Sequence, residues 1–227
     1  MTGRDSGRTM DSVSGPHAGQ PLLTAGAPAL AAEAALVVCH GRGATAQGVV
    51  NLFEPVYRHG LAVFAPQAER SCWYSRPATA PRTENEPWLS SSVDCVGAAC
   101  EAAAEIGIPS DRTVLAGFSQ GACVVAEYGR RNPDRYGGLA VLSATLPGSD
   151  ADLEATEIDG SLAATPVLLG YGAKDPHVDP SRVAATARIF ERADAAVDER
   201  RYPETGHEVT DDEFAAIGEL LEAALED

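Results

Sequence analysis

Beyond about residue 20 the chain alternates between short apolar runs and longer segments of mixed polarity. ALVVCH (35–40), LAVFAP (61–66), TVLAGF (113–118), GLAVLSA (138–144) and PVLLGYG (166–172) are six or seven residues long and apolar throughout or nearly so. Runs of this kind predict strands buried on both faces, rather than strands with one wet side. DERRY (198–202) predicts a final strand. The intervening segments predict helices. TAQGVVNLFEPVY (45–57) has mixed helical spacing. LSSSVDCVGAACEAAAEIG (89–107) starts in serines and stops at Gly107. QGACVVAEYGRR (120–131), SRVAATARIFERA (181–193) and DDEFAAIGELLEAAL (211–225) follow, the last with acids in its first turn, where the helix dipole favours them. Such alternation predicts an α/β fold: a mostly parallel central sheet with helices on both faces. Sheets of this type carry their chemistry on loops at the carboxyl ends of the strands.

Three stretches fall outside the alternation. Residues 1–20 are polar and glycine-rich and lack the apolar core of a secretory signal, so a poorly ordered tail is expected before one domain spanning 21–227. ERSCWYSRPATAPRTENEP (69–87) contains Pro77, Pro81 and Pro87 and cannot be one regular element. Long loops inside compact domains usually serve function. GSDADLEATEIDG (148–160) is acidic. Counted as a calcium loop from Asp150, it puts Ala155 where glycine is required and Ser161 where a bidentate glutamate belongs. A solvated loop is expected instead, and no metal or organic cofactor.

Composition narrows the partners. The 227 residues include 33 Asp and Glu against 17 Lys and Arg, a net charge of −16. A field this negative argues against nucleic acid and anionic membrane surfaces. No apolar run approaches the roughly 18 residues of a membrane span. Lys174 is the only lysine. Two readings of the acidity stay open: adaptation to a salt-rich cytoplasm, or an alanine- and arginine-rich coding bias with an acidic tilt. The five cysteines are odd in number and form no CxxC, which predicts reduced thiols in a cytoplasmic protein.

The candidate chemistry centres on GFSQG (117–121). A GxSxG pentapeptide by itself is a weak signal. Here it joins a predicted strand to a predicted helix, as a nucleophile elbow requires. Its glycines would make room in a tight turn that lifts the Ser119 hydroxyl above the sheet. A serine nucleophile needs a base. Of the five histidines, His17 lies in the tail and His59 in a solvated helix end. His207 lies between the last strand and last helix, where an imidazole can reach the top of the sheet. The base needs an orienting carboxylate. Asp175 follows the PVLLGYG strand; Asp179 precedes Pro180 and reads as a helix N-cap. His177 shares that short loop and is placed at the pocket mouth. Two backbone amides are expected to bind an oxyanion: that of Gln120, after the nucleophile, and that of Arg42, in HGRGA (40–44) after the first buried strand. His40 is expected to tie that loop down.

HGRGA, LAGFSQGA, GAKDPHV and YPETGHEV occur in this order, and together they resemble the phospholipase/carboxylesterase family of α/β-hydrolases, relatives of acyl-protein thioesterases and similar to dienelactone hydrolases. The resemblance covers about residues 20–225. CWYSR and NEPWLSS resemble a bacterial and archaeal carboxylesterase branch, and the acidic composition fits haloarchaeal members. The resemblance implies an α/β-hydrolase fold with nucleophile Ser119, acid Asp175, base His207 and oxyanion amides at Arg42 and Gln120. It implies a small-molecule ester substrate and a monomer or homodimer. Arg42 and Ala44 depart from the aspartate and small apolar residue of many relatives, which bears on acyl and head-group preference. Dienelactone hydrolases use cysteine as nucleophile, whereas this elbow carries serine. The same machinery accepts esters or thioesters, and a non-catalytic binding protein of this fold is a further alternative. Trp73, Tyr74 and Trp88 are candidates for an apolar pocket wall; for Trp88, packing of the loop onto the core is the equal alternative. Arg76 and Arg82 pair with acids or meet an anionic substrate.

Overall fold

The computed structural model describes residues 8–226. Its eight strands form one sheet: β1 (Arg8–Thr9), β2 (Pro21–Gly26), β3 (Ala34–Cys39), β4 (Leu61–Pro66), β5 (Thr113–Phe118), β6 (Gly138–Leu142), β7 (Pro166–Gly172) and β8 (Ala196–Tyr202). The order across the sheet is β1-β2-β4-β3-β5-β6-β7-β8. From β4 to β8 all pairings are parallel; β1 and β2 form an antiparallel edge. The helices are α1 (Ala46–Leu52), α2 (Trp88–Glu105), α3 (Gln120–Arg131), α4 (Asp150–Glu154), α5 (Pro180–Arg192) and α6 (Asp211–Glu226).

The continuous apolar runs divide between two cores because side chains alternate along a strand. In β3, Ala35, Val37 and Cys39 enter a core shared with Leu89 and Val96 of α2, Val124 of α3 and Phe190 of α5. Ala34, Leu36 and Val38 enter the opposite core with Val49 of α1 and Ile217 and Leu221 of α6. Both faces are therefore covered. No helix among the described residues is long and apolar enough to cross a membrane.

Three sequence expectations are corrected. β1 and β2 lie in and just after the stretch expected to be an unstructured tail, and β2 buries only Leu22 fully. An antiparallel edge strand of this kind carries no continuous apolar run. Residues 8–20 are packed, not loose: Met10, Val13 and His17 are buried. Polar bonds hold them. His17 N donates to Ser91 Oγ at 3.0 Å, and Ser91 Oγ donates to Ser14 O at 2.5 Å. Residues 1–7 of the expected tail lie outside the described residues. Finally, the acidic 148–160 stretch contains α4, started by a capping box between Ser149 and Asp152. Asp152 also accepts from Arg82 N at 3.1 Å, so this acid fastens the long loop.

Candidate active site

β5 gives way to α3 at Ser119, whose backbone is left-handed (φ 56°, ψ −125°). A non-glycine residue there is strained, and neighbours must hold it. Ser119 N donates to Leu142 O at 2.9 Å, and Ser119 O accepts from Ala122 N at 3.0 Å. The flanking glycines have steric reasons. A Cβ on Gly117 would stand 2.6 Å from Ala122 N. A Cβ on Gly121 would stand 2.3 Å from Cys39 O and 2.5 Å from His40 O. α3 thus rests directly on the backbone leaving β3.

Two other strand exits meet above this turn. Ala173 N donates to Tyr202 O at 2.8 Å, and Lys174 N to Thr205 O at 2.9 Å. Gly172 allows the approach, since a Cβ there would lie 2.3 Å from Thr205 O. The loops after β7 and β8 are pinned side by side, which brings Asp175 and His207 together. His207 Nδ1 lies 2.7 Å from Asp175 Oδ2, and His207 Nε2 lies 2.9 Å from Ser119 Oγ. An ionised carboxylate only accepts, so Nδ1 carries the proton and Nε2 is the acceptor for the serine hydroxyl. Asp175 is buried, and its second oxygen accepts from His177 N at 2.8 Å. The imidazole of His207 is flanked by the rings of Phe118 (4.8 Å) and His177 (4.9 Å). Asp179 instead caps α5, accepting from Ser181 N at 2.8 Å.

The amides of Arg42 and Gln120 find no backbone acceptor among the described residues, whereas Gly43 N donates to Ser71 O and Ala44 N to Gly41 O. His40 is buried and neutral. Its Nδ1 donates to Gly41 O at 2.8 Å while Nε2 accepts from Ala68 N at 3.1 Å. Burial lowers its pKa.

A cleft of about 630 Å³ opens at this point, with Ser119, His207, His177, Tyr74, Arg42 and Gln120 in its lining. Tyr74 lines the cleft. Its hydroxyl is buried, has no hydrogen-bond partner among the described residues and lies beside the Cys123 thiol; burial raises its pKa. Trp73 is not a wall residue. It is fully buried, its ring lies between His17 (5.6 Å) and His40 (4.9 Å), and its Nε1 donates to His40 O at 2.7 Å. Trp88 also lies outside the cleft, half-buried against the core and 5.4 Å from the His17 ring. His17 is one residue whose part sequence reasoning missed. Its Nε2 donates to Trp73 O at 2.9 Å and its Nδ1 accepts from Glu69 N at 3.0 Å, so it fastens the start of the 69–87 loop.

Neither Arg76 nor Arg82 lines the cleft. Arg76 is exposed. Arg82 faces Glu127 at 3.8 Å and donates to Pro147 O and Thr156 Oγ1. Glu127 is fully buried and also holds Arg130 and Arg131. Burial opposes its ionisation, but the Arg130 hydrogen bond and the three positive charges prevail and hold its pKa below the usual range. Ser143 and Arg182 also line the cleft. Neither stood out in the sequence, because nothing local distinguishes them from structural positions.

An α/β-hydrolase is what this sheet, with its left-handed serine at a strand exit, defines. The profile of the phospholipase/carboxylesterase family matches residues 24–225, and the chain belongs to that family. It is 26% identical over 218 residues to acyl-protein thioesterase 1 of Schizosaccharomyces pombe, covering 87% of this chain and 94% of that protein. A phospholipase/carboxylesterase from Dyadobacter fermentans superposes with a TM-score of 0.80 at 36% identity, over 89% of this chain and 96% of its own. A carboxylesterase from Mesorhizobium loti shares the fold at 24% identity, with a TM-score of 0.71, covering 89% and 94% of the two chains.

Proposed function

We propose that the protein is a serine carboxylesterase acting on small carboxylic esters. Ser119 Oγ attacks the ester carbonyl carbon while His207 Nε2 takes its proton. Asp175 holds the Nδ1–H tautomer and stabilises the imidazolium. The carbonyl oxygen becomes an oxyanion that accepts from the amides of Arg42 and Gln120. As the tetrahedral intermediate collapses, the alcohol leaves with the proton from His207. Water then enters, gives a proton to His207 and attacks the acyl-enzyme; the second collapse releases the acid and restores the Ser119 hydroxyl.

The observation that carries this reading is the unbroken hydrogen-bond chain from Ser119 Oγ through His207 to Asp175, built on a strained serine. Thioester hydrolysis is the second reading, favoured by the similarity to an acyl-protein thioesterase along nearly the whole chain. A hydrolase-fold protein that only binds small molecules would have no use for a histidine bonded to both the Ser119 hydroxyl and a buried carboxylate. The five free cysteines support a cytoplasmic, reducing location.

The test is hydrolysis of p-nitrophenyl acetate and of an acyl thioester by wild type and Ser119→Ala, each at low and molar KCl. We expect Ser119→Ala to lose about 10⁴-fold or more in kcat on whichever substrate is turned over. Equal rates for the two proteins would remove the catalytic claim. Higher stability and activity in molar KCl would support salt adaptation; no gain would favour the coding-bias reading of the −16 charge.

A further inference from the structure

The oxyanion donors assigned above are backbone amides, and such amides point where their surroundings hold them. The loop that carries Arg42 is held on either side, where Gly41 O accepts from Ala44 N and Gly43 N donates to Ser71 O, but the Arg42 amide itself has no backbone acceptor among the described residues. Gly41 and Gly43 flank it, and Gly43 has φ 80°. Peptides between glycines rotate freely unless fastened from outside.

A further fastening, through side chains, comes from residues 72–76. Arg42 Nη2 donates to Tyr74 O at 2.8 Å and reaches Arg76 O at 3.3 Å. Its Nη1 reaches Ser75 O at 3.4 Å and Cys72 Sγ at 3.3 Å. From the other side, the buried Gln120 side chain donates through Nε2 to the same Tyr74 carbonyl at 2.7 Å. Gln120 Oε1 accepts from Trp73 N at 3.0 Å. The Cys72 thiol adds a weaker contact to Tyr74 O at 3.2 Å. Trp73 Nε1 bonds His40 O, joining the same segment to the residue before Gly41.

The side chains of the two residues whose amides form the oxyanion hole therefore converge on one carbonyl oxygen. We propose that Tyr74 O is a shared anchor that sets the spacing and direction of the two oxyanion amides. The guanidinium of Arg42 and the carboxamide of Gln120 act as positioning groups for their own backbones. The inference rests on the hydrolase reading above. It accounts for an arginine at position 42: a planar fork spans several successive carbonyls, whereas a lysine ammonium is a point donor. It also assigns the Arg42 charge to the protein's own backbone rather than to an anionic substrate.

The test is steady-state hydrolysis of p-nitrophenyl acetate by wild type, Ser119→Ala, Arg42→Ala, Arg42→Lys, Gln120→Ala, the Arg42→Ala/Gln120→Ala double variant and Arg76→Ala. Arg42→Ala and Gln120→Ala should each lower kcat by about ten- to a hundredfold with KM within about threefold, since misdirected donors cost transition-state and not ground-state binding. The double variant should lose less than the product of the single losses, because both clamps serve one carbonyl. Arg42→Lys should fall between wild type and Arg42→Ala. Arg76→Ala should match wild type, since that residue offers only its carbonyl. Arg42 is exposed, so its variants carry the test even where removal of the buried Gln120 side chain unfolds the protein.

A raised KM with unchanged kcat in Arg42→Ala would overturn the proposal in favour of substrate binding by the guanidinium. Multiplicative losses in the double variant, or wild-type kcat in folded Arg42→Ala, would overturn it as well. If instead Ser119→Ala keeps the wild-type rate, the hydrolase reading itself fails. An inactive Ser119→Ala beside a fully active Arg42→Ala defeats the anchor alone.

Discussion

Two strands end side by side at the cleft, each in a serine with left-handed backbone. Ser119 leaves β5 at φ 56° and Ser143 leaves β6 at φ 50°. Each N–H reaches the next strand along, Ser119 to Leu142 O at 2.9 Å and Ser143 to Gly170 O at 2.7 Å. Both line the same cleft. Yet Ser119 Oγ is bonded to His207, while Ser143 Oγ is buried with no partner among the described residues. Backbone strain is common to both exits, so strain alone does not single out a nucleophile. What separates them is the sequel. After Ser119 a helix begins at once, made possible by Gly121 against the end of β3, and the loops after β7 and β8 deliver a histidine and its carboxylate above it. Ser143 is followed by Ala144 and an irregular segment, and no base among the described residues bonds to it.

The comparison breaks most sharply at the carboxylate. Asp175→Asn keeps the shape but loses the acceptor that fixes the His207 tautomer. We expect kcat for ester hydrolysis to fall by about 10⁴-fold, measured beside an unfolding curve to show that the fold survives. A loss under tenfold would mean that the two serines differ for another reason. Next comes the turn itself. Gly121→Ala places a Cβ 2.3 Å from a main-chain oxygen that has no flexible side chain to move. The cost should be roughly 3 kcal/mol, read from the urea midpoint.

A smaller effect concerns the support beneath Ser119. Burial lowers the pKa values of His17 and His40 from the usual value near 6.5. The unfolded chain therefore binds protons more readily below that value, so stability present at neutral pH is lost as pH falls from 6.5 through the folded-state values. His17→Gln should flatten the stability-against-pH slope below about 6.5 by up to one proton's worth. An unchanged slope would mean that His17 binds its proton as readily in the folded as in the unfolded chain. Smallest is Ser143→Ala, which deletes an orphaned hydroxyl. It should be neutral or stabilise by about 1 kcal/mol in the same urea assay. A clear destabilisation would mean that Ser143 Oγ has a partner and that the contrast with Ser119 is overstated.

Much of this arrangement was legible in the residues. β4, β5 and β7 coincide with their apolar runs because strands buried on both faces need apolar side chains at every position. Ser119 and Asp175 stood out because each follows such a run, and His207 because it lies between the last strand and the last helix, in an order the sheet can bring together. Trp73 and His17 were not. Trp73 stands in a proline-rich polar segment, and its burial depends on His17 and His40, 56 and 33 positions away. His17 stands in a glycine-rich stretch whose ordering comes from side-chain bonds to Ser91, Glu69 and Trp73, none of which leaves a periodic trace. Tertiary hydrogen bonds between distant polar residues have no local sequence signature, and these decided which aromatic ring faces the cleft.

On this reading Ser119, and not its strained neighbour, is the nucleophile. The most direct test is covalent labelling of the folded protein with a fluorophosphonate, with the adduct located by peptide mass spectrometry. We expect one adduct per chain, on the peptide containing Ser119, and no adduct in Ser119→Ala although Ser143 remains. An adduct on Ser143, or labelling that persists in Ser119→Ala, would contradict the account.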